Sequence, residues 1–321
     1  EHVIRLYGFV DGTLRALHLA PMGEASGPEW DAVAWVDLLE PEPEEKSWVE
    51  RVWGIEVPSR SEMRELEASS RCYQEADSLH LLTAFIASEP GPAHTIDVWF
   101  NLHRGRLFTV RPEKLPPFRL FRLRATSQPE EVREPIDIPL GIIEAEIDVL
   151  SDVLEAAYAR LERVSRSVLT EGARDLEDLL EKLAAEEDLQ GKTRLVLLDL
   201  RRSLTFLLRY VVGSTPRANV IKGALRDIES LTSHSGFVFE KVKFLMDATM
   251  GFINLEQNKI IKIFSIAAVV FLPPTLVASI YGMNFRVLPE LEWLWGYPFA
   301  LGLMVLSGIA PYWLFKRKGW L

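Results

Sequence analysis

The residues best placed to do chemistry lie near the C-terminus of this 321-residue chain. Gly282-Met283-Asn284 closes an uncharged run, Ile263 to Phe285, and offers a side-chain amide and backbone carbonyls at its end. Neutral oxygens suit a hard cation that keeps its water. A small divalent cation dehydrates reluctantly, so amides that hydrogen-bond its hydration shell can select such an ion without stripping it, though they do not choose among divalent ions. Met283 adds no ligand of that kind, because a thioether binds hard cations poorly. Gly282 is read as the residue that lets the backbone turn and expose a carbonyl.

A heptad-like 4,3 step through the preceding residues selects Asp247, Gly251, Asn254, Asn258, Ile261, Ser265, Ala268, Leu272, Thr275 and Ser279. That stripe is mostly small or polar, although the other faces carry Ile260, Ile263, Ile266, Val270, Phe271 and Leu276. Polar groups in hydrocarbon normally face protein or water, so the stripe reads as the lining of a path. Close helix packing accounts equally for Ser265, Ala268 and Ser279. On the path reading, Asn254 and Asn258 present amide oxygens to a hydrated cation. Ile261 and Leu272 are apolar belts that stop ions by dewetting, with Phe264 as the alternative to Ile261. Glu290 and Glu292 either concentrate cations at the mouth or are simply solvated.

Other chemistries find little support. The histidines (His2, His18, His80, His94, His103, His234) show no His-Glu-x-x-His spacing, and the single Cys72 cannot build a thiolate site. No phosphate-binding loop ending in Gly-Lys-Ser/Thr and no nucleophile elbow is present, so neither an enzyme nor an ATP-driven pump is expected. The net charge of −10 argues against a nucleic-acid partner. Cys72 permits no intrachain disulfide and suits a reducing compartment. Charges run throughout Glu1 to Ala20, so no signal peptide is expected there.

The elements that position the path follow from hydropathy and punctuation. Ile263 to Phe285 and Trp293 to Phe315 are both uncharged, 23 residues each, and about 20 apolar residues cross a bilayer as helix. Lys259 and Lys262 precede the first run and Lys316, Arg317 and Lys318 follow the second, while the loop 286–292 holds Arg286 against Glu290 and Glu292. Positive residues stay inside, which predicts a multi-pass protein of the inner membrane, both termini cytoplasmic and Asn284 facing outward. After Thr215-Pro216 no strong breaker precedes Pro273-Pro274, so one helix is predicted from about Arg217 to Tyr281, with Ser214 or Thr215 as its cap and a length of roughly 100 Å. A rod that long needs partners for its apolar residues.

Upstream, Val3 to Val10 and Thr13 to Leu19 flank Asp11-Gly12 and predict a hairpin. Strands are expected over 32–39, 79–87, 95–103 and 107–110, with helices from the acidic stretch 40–45 to Trp53 and from Arg60 to Ser70, the latter capped by Ser61. Apolar residues at helical spacing from Ile142 to Leu169, a break at Gly172, and helices over 174–187 and 189–212 complete the region. The resulting division is an α/β domain (1–139), a helical hairpin region (140–215), a stalk helix (216–262), the pore-lining first span (263–285), a periplasmic loop (286–292), the second span (293–315) and a basic tail (316–321).

Gly282-Met283-Asn284, Phe271 to Thr275, Pro289-Glu290-Leu291, Gly296-Tyr297-Pro298 and Phe315 to Leu321 together closely resemble the CorA family of magnesium transporters, within the Gly-Met-Asn metal ion transporter superfamily. The resemblance is strong from about Leu225 onward and weaker over the first 140 residues. It implies an α+β cytoplasmic domain, then a long helix continuous with the first of two C-terminal transmembrane helices, assembled in the bilayer as a homopentameric funnel. It implies influx of Mg²⁺, with Co²⁺ and Ni²⁺ as further ions, gated by cytoplasmic Mg²⁺. Family pore positions carry over to Asn258, Leu272, Thr275 and Asn284, and less securely to Asp247 and Ile261. Asp227 and Glu229 match the segment where family members bind regulatory divalent ions between subunits, and Glu89 is their expected partner across that interface. Salt bridges within the soluble part explain the same acids. The alternatives are a zinc transporter of the same superfamily, against which Met283 leans, and a membrane-tethered metal sensor that conducts nothing.

Overall fold

The structure, a computed structural model, describes all residues except 1–2, 24, 66–69, 88–90, 171–175, 212–214, 285–288 and 320–321. The chain divides into two compact units, Glu1–Met246 and Asp247–Leu321.

The first unit is built on a seven-stranded mixed sheet of β1 (Val3–Val10), β2 (Thr13–Ala16), β3 (Val33–Leu39), β4 (Cys72–Glu75), β5 (Ser78–Ala87), β6 (His94–His103) and β7 (Arg106–Arg111). The spatial order is β2-β1-β3-β7-β6-β5-β4. Only β3 and β7 run parallel; every other neighbouring pair is antiparallel. The expected hairpin is present: Val10 pairs with Thr13, and Asp11 and Gly12 both take positive φ, as a two-residue turn of that hand requires.

Alternation along the strands sends apolar side chains to both faces. After the short α1 (Pro28–Asp31), which precedes β3, Val36, Leu38, Phe108 and Val110 pack with Trp48 and Val49 of α2 (Pro43–Trp53) and Met63 of α3 (Arg60–Glu65). On the opposite face, Trp35, Phe85, Phe100 and Leu107 pack against α4 (Pro116–Ser127), α5 (Asp137–Thr170), α6 (Leu176–Tyr210) and the first turns of α7 (Pro216–Tyr281). A smaller core joins Ala157 and Leu161 of α5, Leu183 of α6, and Val238, Val242 and Leu245 of α7.

Several local expectations are revised. Ser59, not Ser61, caps α3: its hydroxyl accepts the Glu62 N–H, and the Glu62 carboxylate accepts the Ser59 N–H. The helices expected over 174–187 and 189–212 are one helix, because buried Leu183, Glu186, Gln190, Thr193 and Leu197 continue a single face at helical spacing through the expected break. Strand β4 and helix α4 were not anticipated. The exposed four-residue β4 lacks a run of apolar residues, and α4 opens with two prolines that read as a loop but are tolerated in a first turn. The break expected at Gly172 and the alternative cap Ser214 lie outside the described residues.

Helix α7 runs unbroken for 66 residues. Thr215 caps it, its hydroxyl accepting the Ala218 N–H at 3.3 Å. Arg217, in its first turn, bonds the carboxylate of Asp137 and reaches Glu134 at 3.2 Å, tying the start of α7 to the start of α5.

In the second unit, α7 continues to Tyr281, and after a short turn at Pro289–Leu291 the chain enters α8 (Gly296–Arg317). Both helices are long and apolar enough to cross a membrane.

Candidate functional site

The C-terminal half of α7 carries the stripe, and its geometry separates two faces. Ile266, Val270, Pro273, Pro274 and Val277 are half-buried. Gly308 of α8 lies against two of them: a Cβ there would stand 3.4 Å from both the Val270 carbonyl oxygen and Pro274 Cγ. Pro273 and Pro274 bring no N–H, so the carbonyls of Val269 and Val270 lose their intrahelical donors. The small residue lets the α8 backbone approach at this point, as small residues do between membrane helices.

At about 100° per residue, Ser265, Ala268, Leu272, Thr275 and Ser279 fall on the opposite side of α7 from Val270, Pro274 and Val277. All five are exposed in the single chain, as are Asp247, Gly251, Asn254, Asn258 and Ile261 further along the same helix. Leu272 is 65% exposed and Ile261 61%. The Thr275 hydroxyl donates to the Phe271 carbonyl at 2.7 Å, which fixes its proton on the helix and leaves its oxygen lone pairs outward.

The helix ends where Gly282 N–H bonds the Ala278 carbonyl at 2.9 Å and Met283 N–H bonds that of Ile280 at 3.2 Å. Gly282 does not use the left-handed region. A Cβ there would lie 3.1 Å from the Ala278 oxygen, so the glycine relieves crowding in the last turn rather than supplying a positive φ. Met283 is 49% exposed and Asn284 is exposed, while Phe285 lies outside the described residues. Before α8, the Glu290 carbonyl oxygen stands 2.0 Å from where a Cβ of Gly296 would be, so no other residue fits position 296 without moving the turn.

The acids named for regulation are placed differently. Asp227 and Glu229 are exposed on either side of Ile228, which is buried in the core of the first unit. Burial raises the carboxyl pKa of Glu144 on α5, the nearby Arg124 opposes that, and the charges of Glu131, Asp148 and Asp227 raise it further. Asp227 thus shares a field with Glu144, a neighbour that sequence spacing could not reveal. Glu89 lies outside the described residues. Among the described residues no group of three or more His, Cys, Asp or Glu converges to hold a metal ion within one chain.

A family model described as CorA-like Mg2+ transporter protein matches residues 30–317. The chain is 43% identical over 311 residues to the magnesium transport protein CorA of Pasteurella multocida (strain Pm70), covering 96% of this chain and 98% of that one. It is 46% identical over 294 residues to the magnesium transport protein CorA of Salmonella typhimurium, covering 91% and 92% of the two chains. Among solved structures, the complete CorA magnesium transporter from Methanocaldococcus jannaschii is similar with a TM-score of 0.76 at 22% identity, over 99% of both chains. The latter likeness speaks to fold.

Proposed function

Because this chain belongs to the CorA-like Mg2+ transporter family and is a membrane protein that transports Mg²⁺, we propose that it does so as a channel lined by the 4,3 face of α7. The observation that carries the proposal is the division of that helix: its apolar face meets α8, and its small and polar face is left exposed by the rest of the chain. Copies of α7 around an axis, a homopentamer by the resemblance, cover that face with one another. Asn284, with backbone carbonyls of Gly282 and Met283, forms the entrance, where neutral oxygens hydrogen-bond the hydrated ion. Thr275, Asn258 and Asn254 continue the acceptor path, Leu272 and Ile261 form the dewetting belts, and Asp247 supplies an acid beyond them.

The entrance faces outward and both termini lie in the cytoplasm, following the placement of Lys and Arg. An inside-negative potential then favours entry of a divalent ion by about 4.6 kcal/mol per 100 mV, so no fuel is required. Co²⁺ and Ni²⁺, also hard enough for oxygen ligands, are candidate cargo alongside Mg²⁺.

Regulation rests on the same helix. Asp227 and Glu229 are exposed, and among the described residues no convergent ligand set forms around them within one chain, which leaves them available to a site completed by a second copy. Cytoplasmic Mg²⁺ bound there would neutralise clustered acids and favour a closed assembly; its loss lets them repel.

The test is Mg²⁺ uptake into liposomes containing only this protein. Wild type is expected to conduct, and Asn284→Ala to lose at least about tenfold of the flux while the oligomer stays intact, because the entrance loses its amide oxygen. Unchanged flux and selectivity in the variant reject the entrance, and no flux from the oligomeric wild type at any internal Mg²⁺ level rejects the channel.

A further inference from the structure

The sheet face that carries α2 and α3 is not covered along its whole width. Over β4, β5 and β6 the cross-strand row Tyr73–His80–Asn101 and the next row, Glu75–Ser78–His103, line an open cavity of about 460 Å³. That is within the range of small-molecule sites. The Tyr73 and His80 rings stack with centroids 4.4 Å apart, and Trp99 lies 5.9 Å from His80.

Three buried polar atoms of its lining residues have no partner: the acceptor Asn101 Oδ1, on a residue only 1% exposed, His80 Nδ1, which accepts when the ring proton is on Nε2, and the donor Arg71 Nε, whose guanidinium is already held by Asp97 and Asp199. A buried polar atom left unpaired costs about 1–3 kcal/mol, which a ligand with N–H donors would recover. Burial lowers the pKa of His80, so the ring tends to stay neutral and able to accept.

Charge narrows the ligand further. The cations at the cavity are matched within the chain: Arg104 faces Asp77 at 3.6 Å, and Arg71 pairs with Asp97 and with Asp199 at 3.0 Å. Glu56 and Glu75, on the cavity wall, make no ion pair among the described residues. These acids repel a phosphate-bearing ligand. Among the described residues a bare metal ion finds no convergent set of ligands there. What remains is an organic cation rich in N–H donors, which also gains from aromatic faces.

We propose that this cavity is a binding site for an alkyl di- or polyamine, one ammonium held by Asn101 Oδ1 against the Tyr73, His80 and Trp99 rings and another at Glu56 and Glu75. The site belongs to the α/β domain and does not depend on the transport reading. The probe is spermidine, titrated calorimetrically into the full-length protein in detergent at fixed Mg²⁺. Saturable binding, one per chain, is expected, weakened at least about tenfold by Asn101→Ala and about threefold by Glu75→Gln. Should Asn101→Ala fail to fold, as its melting curve would reveal, the exposed pair Glu56→Gln and Glu75→Gln decides. No saturable heat, equal affinity in the variants, or competition by Mg²⁺ as effective as by putrescine would each overturn the proposal, the last two marking a generic acidic surface.

Discussion

The two units handle their apolar residues in opposite ways. In the α/β unit the large side chains are inside: Trp35, Phe85, Phe100, Phe108 and Phe118 are all fully buried by the chain itself. In the C-terminal unit they are outside, with Phe264 71%, Phe271 68% and Leu294 92% exposed. Water alone can drive the first to fold, because burial within one chain removes apolar surface from solvent. The second leaves that surface outside, as suits helices long and apolar enough to cross a membrane. In that setting the informative residues are the polar exceptions, Asn254, Asn258, Thr275 and Asn284, because each needs protein or water beside it.

Polar groups inside the α/β unit teach the converse. Asp37 is fully buried and accepts hydrogen bonds from Arg111 Nε at 3.1 Å, an Arg111 terminal nitrogen at 2.8 Å and the Thr109 hydroxyl at 3.0 Å. Thr109 in turn receives the Trp35 indole N–H at 3.0 Å, and the guanidinium lies over Phe118 with 4.3 Å to the ring centroid. Beyond the short β4, two free N–H groups of β5 are met by helix carboxylates, Ala84 by Asp199 and Ile86 by Glu146, each at 2.8 Å. These groups find partners within one chain, whereas Asn254 and Asn258 of the α7 stripe are exposed in it.

The largest effect that would sharpen the comparison is on the self-sufficient unit. Asp37→Ala strands a buried Arg111, and denaturant unfolding is expected to report a loss of about 3–5 kcal/mol; a near-neutral result would mean that the buried network is not what fixes this core. An intermediate effect is expected from Asp227→Lys, on an exposed face of α7 that we propose meets a neighbouring copy. The variant should lose Mg²⁺-dependent protection from proteolysis while its melting temperature stays close to wild type, and equal protection would return Asp227 to the solvated surface.

The smallest effect concerns Glu146. Its carboxyl is fully buried, one oxygen accepts the Ile86 N–H and the other has no partner, and burial pushes its pKa well above the ordinary value. The folded state therefore holds a proton that the unfolded chain releases, and stability falls as pH rises from the unfolded pKa toward the folded one. Glu146→Gln removes that dependence. Its melting temperature is expected to gain on wild type by roughly 2–4 °C between about pH 5 and about pH 8, and a constant difference across that range would show that Glu146 does not titrate there.

What the sequence made legible follows the same division. Residues 216–281 announce one helix because capping at Thr215-Pro216, unbroken periodicity and an uncharged run all agree. The stripe was legible because polarity is conspicuous among Ile, Val and Phe. The face that meets α8 was not, since Gly308 and Val270 look like any other apolar-span residues until the two backbones are placed together. In the α/β unit, strands with apolar runs were found and β4 was not, because Cys72 to Glu75 earns its place by pairing with β5 rather than by burial. The proximity of Asp227 to Glu144 and the pairing of Glu146 with Ile86 are tertiary facts between distant residues, with no local signal to mark them.

The central claim is that Mg²⁺ moves along the face of α7 turned away from α8. It is tested most directly by Mg²⁺ flux in liposomes with single cysteines placed in a Cys72→Ser background, one at Thr275→Cys on the stripe and one at Val277→Cys on the α8 side. A bulky, cationic, water-soluble thiol reagent is expected to block flux through the first variant and leave the second unchanged. Block at position 277 with none at 275 would contradict the account.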